Sequence, residues 1–83
     1  MSYKLVYTKT AFRDIQRLDT VAKKRIKKKL EEYASQPLIH AKKLTNSSIG
    51  SYRFRIGNYR VVFDIDDKTI VVLRVGHRRE IYK

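Results

Sequence analysis

The chain has 83 residues, of which 20 are Lys or Arg and 8 are Asp or Glu, so its formal net charge is +12 at pH 7. This length predicts one small domain over residues 1–83, with no room for a separate cofactor-binding domain. The sequence contains no cysteine, which excludes a disulfide scaffold, a thiolate zinc site and a cysteine nucleophile. Its longest strictly apolar run, residues 70–73, is far shorter than the ~20 residues that span a bilayer. We therefore expect no membrane partner and, without a visible secretion signal, a cytoplasmic location.

The positive charge is the first indication of function. A sequence pI near 10.2 means that the protein attracts polyanions and repels copies of itself. Nucleic acid, an acidic membrane surface or an acidic protein partner would each satisfy this charge. A basic surface that serves solubility alone is the alternative.

The first half of the chain has the 3.6-residue period of helices after one short strand. Residues 3–7 alternate as a strand, and Thr8 is placed to cap a helix. Residues 19–20 predict a break and the cap of a second helix, which runs to about Ser35 and which Pro37 ends. The apolar positions of the two helices are Ala11, Phe12, Ile15, Leu18, Ala22, Ile26, Leu30, Tyr33 and Ala34. The polar side of the first helix carries Arg13, Asp14 and Arg17.

From residue 51 onward the apolar residues alternate with a period of two, which predicts three further strands. Gly57-Asn58 is a two-residue turn signal, since both residues tolerate positive φ, and residues 66–69 hold a second turn. The predicted order is β-α-α-β-β-β. This order indicates an α+β fold in which an N-terminal helical hairpin packs on one face of a mainly antiparallel four-stranded sheet.

The turn at Gly57-Asn58 determines which side chains share a face of the sheet. With a two-residue loop, Arg55 lies opposite Arg60, and Arg53 shares their face while the apolar residues take the other. Like charges directly opposite each other destabilise a sheet by roughly a few tenths of a kcal/mol. A phosphate between two guanidinium groups gives a reason for the pairing, because it accepts charge-assisted hydrogen bonds from both. An ordinary solvated sheet face is the alternative.

The length of the second turn determines the face of Arg74. A two-residue loop would turn Arg74 to the apolar face, whereas a three-residue loop over residues 67–69 brings it opposite Val62 and beside the other arginines. We predict the three-residue loop because it buries more apolar surface. The core positions of the last strand are then Val71, Leu73 and Val75.

Two further groups of charges require an interpretation. Six cations occupy seven positions at residues 23–29, which costs helix stability through i,i+4 repulsion. Such a run is usually a solvated face, but its one-sidedness predicts contact with a phosphate backbone. The carboxylates Asp64, Asp66 and Asp67 are best explained by charge balance and turn chemistry, so we expect neither a metal ion nor a cofactor.

Two stretches of the second half resemble the RelE/ParE toxin superfamily, and the RelE branch within it. They are YRFRIGNYRVVF at residues 52–63 and VGHRREIY at residues 75–82. The likeness covers almost the whole chain, including the lysine-rich helix, Pro37 and the sequence Lys-Lys-Leu at residues 42–44. It implies a single RelE-like toxin domain from a bacterial or archaeal type II toxin–antitoxin pair.

The resemblance implies a ribosome-dependent endoribonuclease that cuts mRNA in the A site without a metal. The ribose 2′-hydroxyl attacks the adjacent phosphate and leaves a 2′,3′-cyclic phosphate and a free 5′-hydroxyl. The implied partners are the ribosome, mRNA and a cognate antitoxin that blocks the site. A charge of this size suits an antitoxin that is acidic and partly disordered when free.

The resemblance also implies site residues. Arg53 and Arg55 match basic residues of the active-site strand, Arg60 matches a phosphate-clamping arginine, Arg78 matches an arginine on the leaving-group side, and Tyr82 matches a tyrosine that stacks on a base. The residues expected to bind RNA or the ribosome are Lys23, Lys24, Arg25, Lys27, Lys28, Arg74 and Arg79.

This chain departs from the family at the general base. Well-known members carry lysines where this chain has Arg53 and Arg55, and one of those lysines is the proposed base. Arginine is effectively never deprotonated in a protein, so its expected role here is electrostatic. Histidine ordinarily titrates near neutral pH, so His77 is a candidate acid or base, with a structural or RNA-contacting role as the alternative.

Two other functions remain open. A ParE-like toxin would inhibit DNA gyrase and cut no RNA, and a non-catalytic nucleic-acid-binding protein would cut nothing. The arginines favour the RelE branch, because a gyrase poison does not need a phosphate clamp around a scissile bond.

Overall fold

The computed structural model describes residues 3–45 and 48–81 of the chain. The helices in these residues are α1 Lys9–Gln16, α2 Thr20–Tyr33, α3 Pro37–His40 and α4 Arg78–Ile81. The strands are β1 Lys4–Tyr7, β2 Lys42–Lys43, β3 Tyr52–Ile56, β4 Tyr59–Asp66 and β5 Thr69–His77. No helix among these residues is both long enough and apolar enough to cross a membrane.

The two long helices begin at the predicted capping residues. The Thr8 hydroxyl accepts a hydrogen bond from the Ala11 N–H at 3.1 Å, and the Asp19 carboxylate accepts one from the Ala22 N–H at 2.7 Å. Each cap satisfies an N–H group that the first helical turn leaves without a partner. The helix boundaries are therefore set by local chemistry that the sequence contains.

The strands form one sheet in the order β1-β5-β4-β3-β2. The pair β1 and β5 is parallel, and the other neighbouring pairs are antiparallel. Helices α1 and α2 cover one face, where Ala11, Ile26 and Leu30 join the same buried cluster as the sheet residues. At its centre Phe54 and Phe63 are fully buried and stack with ring centroids 4.3 Å apart.

The predicted fold class is confirmed, with a difference in the number of strands. The described sheet has five strands rather than four, because β2 pairs with β3 at the outer edge. Two residues are too few to show a periodic pattern in the sequence. Pro37 also differs from its predicted role as a helix end, because α2 has already ended at Tyr33 and Pro37 begins α3. The first turn of a helix tolerates proline, since the N–H that proline lacks has no intrahelical partner there.

The predicted register between β3 and β4 is confirmed. Gly57 adopts a φ of 59°, which a residue without a Cβ reaches at no steric cost. Ile56 lies opposite Tyr59, and Arg55 lies opposite Arg60. The two-residue turn therefore aligns the strands as the Gly-Asn signal indicates.

The predicted second turn is wrong. The loop has two residues rather than three, since Asp67 adopts a φ of 55° and Asp66 lies opposite Thr69. A β-bulge between Val62 and Phe63 then shifts the register by one residue, so Arg74 still lies opposite Val62.

The bulge also changes which residues of β5 reach the core. Ile70 and Val72 are fully buried there, and Val75 is 2% exposed, whereas Val71 and Leu73 are only half-buried. The prediction of Val71 and Leu73 as core residues is therefore wrong. The shorter turn reverses which residues at the start of β5 face the core. The bulge restores the predicted orientation, so that Val75 faces the core as expected.

Two neighbouring valines test which residues of β5 face the core. Val72→Ala should lower the free energy of unfolding by about 2 kcal/mol, because it removes two methyl groups from a site with no exposed surface. Val71→Ala is the matched control and should cost clearly less, since Val71 is half-buried. Urea unfolding at 25 °C measures both values. A larger loss for Val71→Ala than for Val72→Ala would contradict this register.

Candidate active site

An open cleft of about 560 Å³ lies where β2, β3, β4 and α4 meet. Six of its lining residues are cations. The lining consists of Lys42, Lys43, Leu44, Thr45, Arg53, Arg60, Arg78 and Arg79. Three arginines that the sequence predicts as site residues, Arg53, Arg60 and Arg78, are therefore brought together.

The β-ladder determines which cations share a face of the sheet. Lys42 lies opposite Arg53, and Arg55 lies opposite Arg60. Successive side chains of a strand point to opposite faces, so Arg53 and Arg55 share one face and their partners share it with them. Arg55 is exposed and does not line the cleft.

Arg60 is the most deeply placed cation of the cleft. It is only 5% exposed. Its Nη1 donates to the carbonyl oxygens of Gly57 at 3.2 Å and Tyr59 at 3.0 Å, which fixes the guanidinium next to the turn. A buried guanidinium interacts with an anion more strongly than an exposed one, because less water screens the charge.

A backbone bond brings the C-terminal arginines to the same turn. The Arg78 N–H donates to the Asn58 carbonyl at 2.9 Å, directly after Tyr59 has paired with His77 at the end of the β4–β5 ladder. The short helix α4 therefore starts beside the β3–β4 turn. Arg78 and Arg79 are exposed and line the cleft from this side.

The cations of the cleft have few acidic neighbours. Within residues 3–45 and 48–81, no carboxylate lies within 4.0 Å of the charged groups of Lys42, Lys43, Arg53, Arg78 or Arg79. The ion pairs in this part of the chain are Lys29–Glu32 and Arg74–Asp14. A group of cations without nearby carboxylates is suited to bind an anion, and guanidinium groups match the oxygens of a phosphodiester.

Arg74 does not join the cleft, which corrects its predicted place beside the other arginines. Its Nε donates to Asp14 Oδ2 at 2.8 Å and its Nη2 to Asp14 Oδ1 at 3.3 Å. The same Asp14 carboxylate accepts the Val75 N–H at 3.0 Å. These hydrogen bonds raise the pKa of Arg74 above its ordinary value, and burial acts in the opposite direction.

The end of β1 explains why a carboxylate is buried here. Tyr7 is the last β1 residue that pairs with β5, opposite Val72, so the edge of β5 has no strand neighbour beyond that point. Helix α1 lies along this edge, and Asp14 takes the place of a strand acceptor. Asp14 was placed on the polar side of α1 by the sequence, yet it is only 8% exposed.

His77 lies outside the cleft. It lines a separate cavity of about 260 Å³ together with Asp14 and Arg74. Its Nδ1 accepts the Arg79 N–H at 3.3 Å, and its ring meets the Tyr59 ring edge-on at 6.0 Å between centroids. These contacts support the structural alternative for His77 rather than a place among the cleft arginines.

The predicted RNA-binding residues of α2 form an exposed basic surface. Its members are Lys23, Lys24, Arg25, Lys27 and Lys28. A Cβ added at Gly57 would lie 3.0 Å from Arg25 Nη2, so this surface extends to the β3–β4 turn. Tyr82 lies outside the described residues.

An apolar groove of about 360 Å³ separates α1 from α2. Its lining residues are Tyr7, Phe12, Ile15, Gln16, Lys23, Ile26, Lys27 and Leu30. Phe12, predicted as part of the buried stripe, is 48% exposed and lines this groove. Partial burial raises the pKa of Tyr7, and the nearby Glu31 carboxylate raises it further.

The cleft contains two cations that the sequence did not assign to the site, Lys42 and Lys43. Their signal was the Lys-Lys-Leu sequence ahead of the arginine strand, but two residues show no strand period. Of the three carboxylates Asp64, Asp66 and Asp67, Asp64 has a structural role, since it lies in β4 and accepts the Ser51 N–H at 2.7 Å. In the part of the chain that the structure describes, no three His, Asp or Glu side chains are grouped to hold a metal ion.

Comparisons with known proteins agree on one family. Residues 5–82 match the family described as ParE toxin of type II toxin–antitoxin system, parDE. A curated relative, Toxin RelG of Mycobacterium tuberculosis, is 37% identical over 90 residues, which covers 100% of this chain and 99% of that protein. The mRNA interferase toxin RelE of Escherichia coli is 31% identical over 87 residues, covering 99% of this chain and 92% of that protein.

A solved structure has the same fold. It is the toxin–antitoxin complex RelBE2 from Mycobacterium tuberculosis, in which the matching chain is 32% identical with a TM-score of 0.83. The match covers 94% of this chain and 100% of the other. The resemblance stated from the sequence is therefore confirmed.

The Asp14–Arg74 pair predicts an asymmetric loss of stability. Asp14→Ala removes the acceptor of the Val75 N–H and of Arg74, and should lower the free energy of unfolding by about 2–3 kcal/mol. Arg74→Ala should cost about 1 kcal/mol or less, because the Arg74 side chain is 43% exposed. Urea unfolding of the two variants measures the difference. Equal losses would show that the Val75 bond contributes nothing.

Proposed function

We propose that this chain is a ribosome-dependent endoribonuclease that cuts mRNA in the A site. The chain belongs to the ParE/RelE toxin family of type II toxin–antitoxin systems. The observation that carries this proposal is the cleft, where Arg53, Arg60 and Arg78 line one open space beside two lysines. Relatives of the chain are named mRNA interferases, which favours RNA cleavage over gyrase inhibition.

The cleft cations supply the charge that the reaction needs. In this proposal the ribose 2′-oxygen attacks the adjacent phosphorus, the 5′-oxygen leaves, and a 2′,3′-cyclic phosphate remains. Negative charge grows on the nonbridging oxygens as the fifth bond forms. Buried Arg60 and half-buried Arg53 donate hydrogen bonds to those oxygens, while Arg78 acts on the leaving-group side.

The same cations support a reaction without a metal. A divalent ion in a nuclease neutralises phosphate charge and stabilises the leaving oxygen. Six side-chain cations line this cleft, so fixed positive charge is already present where such an ion would act. Metal independence is accordingly part of the proposal.

Residues outside the cleft complete the proposal. Arg55 is exposed next to the cleft face, and the α2 surface carries five exposed cations, of which Arg25 reaches the turn at Gly57. We assign both to phosphates of ribosomal RNA, because such contacts depend on charge rather than on sequence. Tyr82 retains its proposed role of stacking on a base. The whole chain acts as one toxin domain.

A cognate antitoxin is the proposed protein partner, and the groove between α1 and α2 is its proposed docking site. The groove is apolar, and Phe12 lies 48% exposed along it. Lys23 and Lys27 flank the apolar surface, which favours an amphipathic partner segment that carries carboxylates. Matching structures contain such toxins in complex with RelB antitoxins.

Arginine substitutions test the cleavage site. Arg78→Ala and Arg60→Lys should each lower the cleavage rate about 100-fold or more, because each removes a preorganised donor to the transition-state charge. The lysine variant keeps the buried charge of Arg60 and so protects the fold. Arg13→Ala, an exposed arginine on α1 outside the cleft, is the matched control and should cleave at the wild-type rate.

Primer extension on mRNA in programmed ribosomes measures these rates. A 2′-deoxy nucleotide at the scissile position should abolish cutting, since it removes the nucleophile. Equal cleavage of naked RNA would reject ribosome dependence. Accumulation of DNA–gyrase cleavage complexes would support a gyrase poison, and salt-dependent binding without any scission would support a non-catalytic protein.

A charge placed in the groove tests the docking site. Phe12→Asp should weaken binding of the antitoxin by about 10-fold to 100-fold, because it removes roughly 1.5–3 kcal/mol of apolar burial. Val21→Asp is the matched control, since Val21 is 77% exposed on α2 and does not line the groove. Calorimetric titration with the purified cognate antitoxin measures both affinities. Unchanged affinity for Phe12→Asp would move the docking site elsewhere.

A further inference from the structure

Lys42 and Lys43 are the cleft cations whose side chains can give up and then accept a proton. Four of the residues that line the cleft are arginines, which stay protonated in proteins, and the other cations are Lys42 and Lys43. An ε-ammonium group can lose its proton and then accept one from a hydroxyl. Proton acceptance within this cleft therefore falls to the lysines of β2.

The register of β2 distinguishes the two lysines. Lys42 lies opposite Arg53, whereas Lys43 lies opposite Tyr52. Tyr52 packs against the core and stacks on Phe63 at 5.6 Å, so the ladder places Lys43 on the opposite face from Arg53, although Lys43 also lines the cleft. Lys42 lies on the face of the sheet that carries Arg53, and directly paired residues have Cβ atoms about 5 Å apart.

The surroundings of Lys42 leave its amine available. Lys42 is exposed, and within residues 3–45 and 48–81 no carboxylate lies within 4.0 Å of its amine. By contrast, His77 lines another cavity, and its Nδ1 is already an acceptor for the Arg79 N–H. Lys42 is thus better placed than His77 to meet a phosphodiester held by Arg53.

We propose that Lys42 is the general base of this site, a role that rests on the proposed RNA cleavage. Its neutral amine takes the proton of the ribose 2′-hydroxyl as the 2′-oxygen forms a bond to phosphorus. The bond from phosphorus to the 5′-oxygen breaks, and that oxygen takes a proton from solvent water. The products are the 2′,3′-cyclic phosphate and the 5′-hydroxyl, with Lys42 left as an ammonium.

Substitutions at Lys42 separate a proton acceptor from a mere charge. Lys42→Arg keeps the cation but cannot accept a proton, and Lys42→Ala loses both properties. Each should lower the single-turnover rate of mRNA cleavage on the ribosome about 100-fold or more. Lys9→Arg and Lys9→Ala are the matched controls, since Lys9 is exposed on α1 and does not line the cleft, and they should keep the wild-type rate.

A small amine supplies an independent test. Methylamine added to the Lys42→Ala variant should restore part of the lost rate, in proportion to the concentration of free amine. Guanidinium chloride at the same ionic strength should restore nothing, because it supplies a cation without a base. Circular dichroism melting and ribosome affinity, both unchanged for Lys42→Arg, should show that the variant is folded and bound.

The outcomes distinguish this proposal from the function on which it rests. A wild-type chain that cuts no mRNA on ribosomes overturns both. An active wild type with a fully active Lys42→Arg variant overturns the role of Lys42 alone, as does activity lost in Lys42→Ala and kept in Lys42→Arg. Loss in both variants with rescue by methylamine supports it.

Discussion

The two-residue turn at Gly57-Asn58 is the constraint on which the cleft depends. Gly57 reaches a φ of 59° without a steric penalty, and this geometry fixes Arg55 opposite Arg60 along the ladder. The carbonyl of Gly57 accepts from Arg60, and the carbonyl of Asn58 accepts from the Arg78 N–H. A single turn therefore sets the register of the arginine strands and also anchors the helix that lines one side of the cleft.

The charges gathered by this turn work against folding, and the opposite face of the sheet offsets them. Paired arginines repel one another by some tenths of a kcal/mol, roughly, whereas one buried phenylalanine contributes about 1.5–3 kcal/mol. Phe54 and Phe63 lie on the same two strands as the arginines and stack in the core. The strands thus combine a strongly stabilising face with a destabilised one, a distribution that serves anion binding.

The sequence predicted those parts of the fold that local chemistry determines. Capping by Thr8 and Asp19 and the turn at Gly57 depend on a few adjacent residues, and all three were found. The bulge near Val62 was missed because an extra residue in one strand leaves no local pattern. The Asp14–Arg74 pair joins residues 60 positions apart, so only the packing of α1 beside β5 could reveal it.

The Asp14–Arg74 pair explains why one of the arginines predicted for the site lies outside the cleft. Asp14 is held by three hydrogen bonds at the edge of β5, where it substitutes for a missing strand. The carboxylate fixed there is the ion-pair partner of Arg74. Arg74 lies at the same edge, where its guanidinium stabilises the Asp14 carboxylate. The Arg74 side chain, which is 43% exposed, therefore stabilises the edge of the sheet rather than contributing its charge to the cleft.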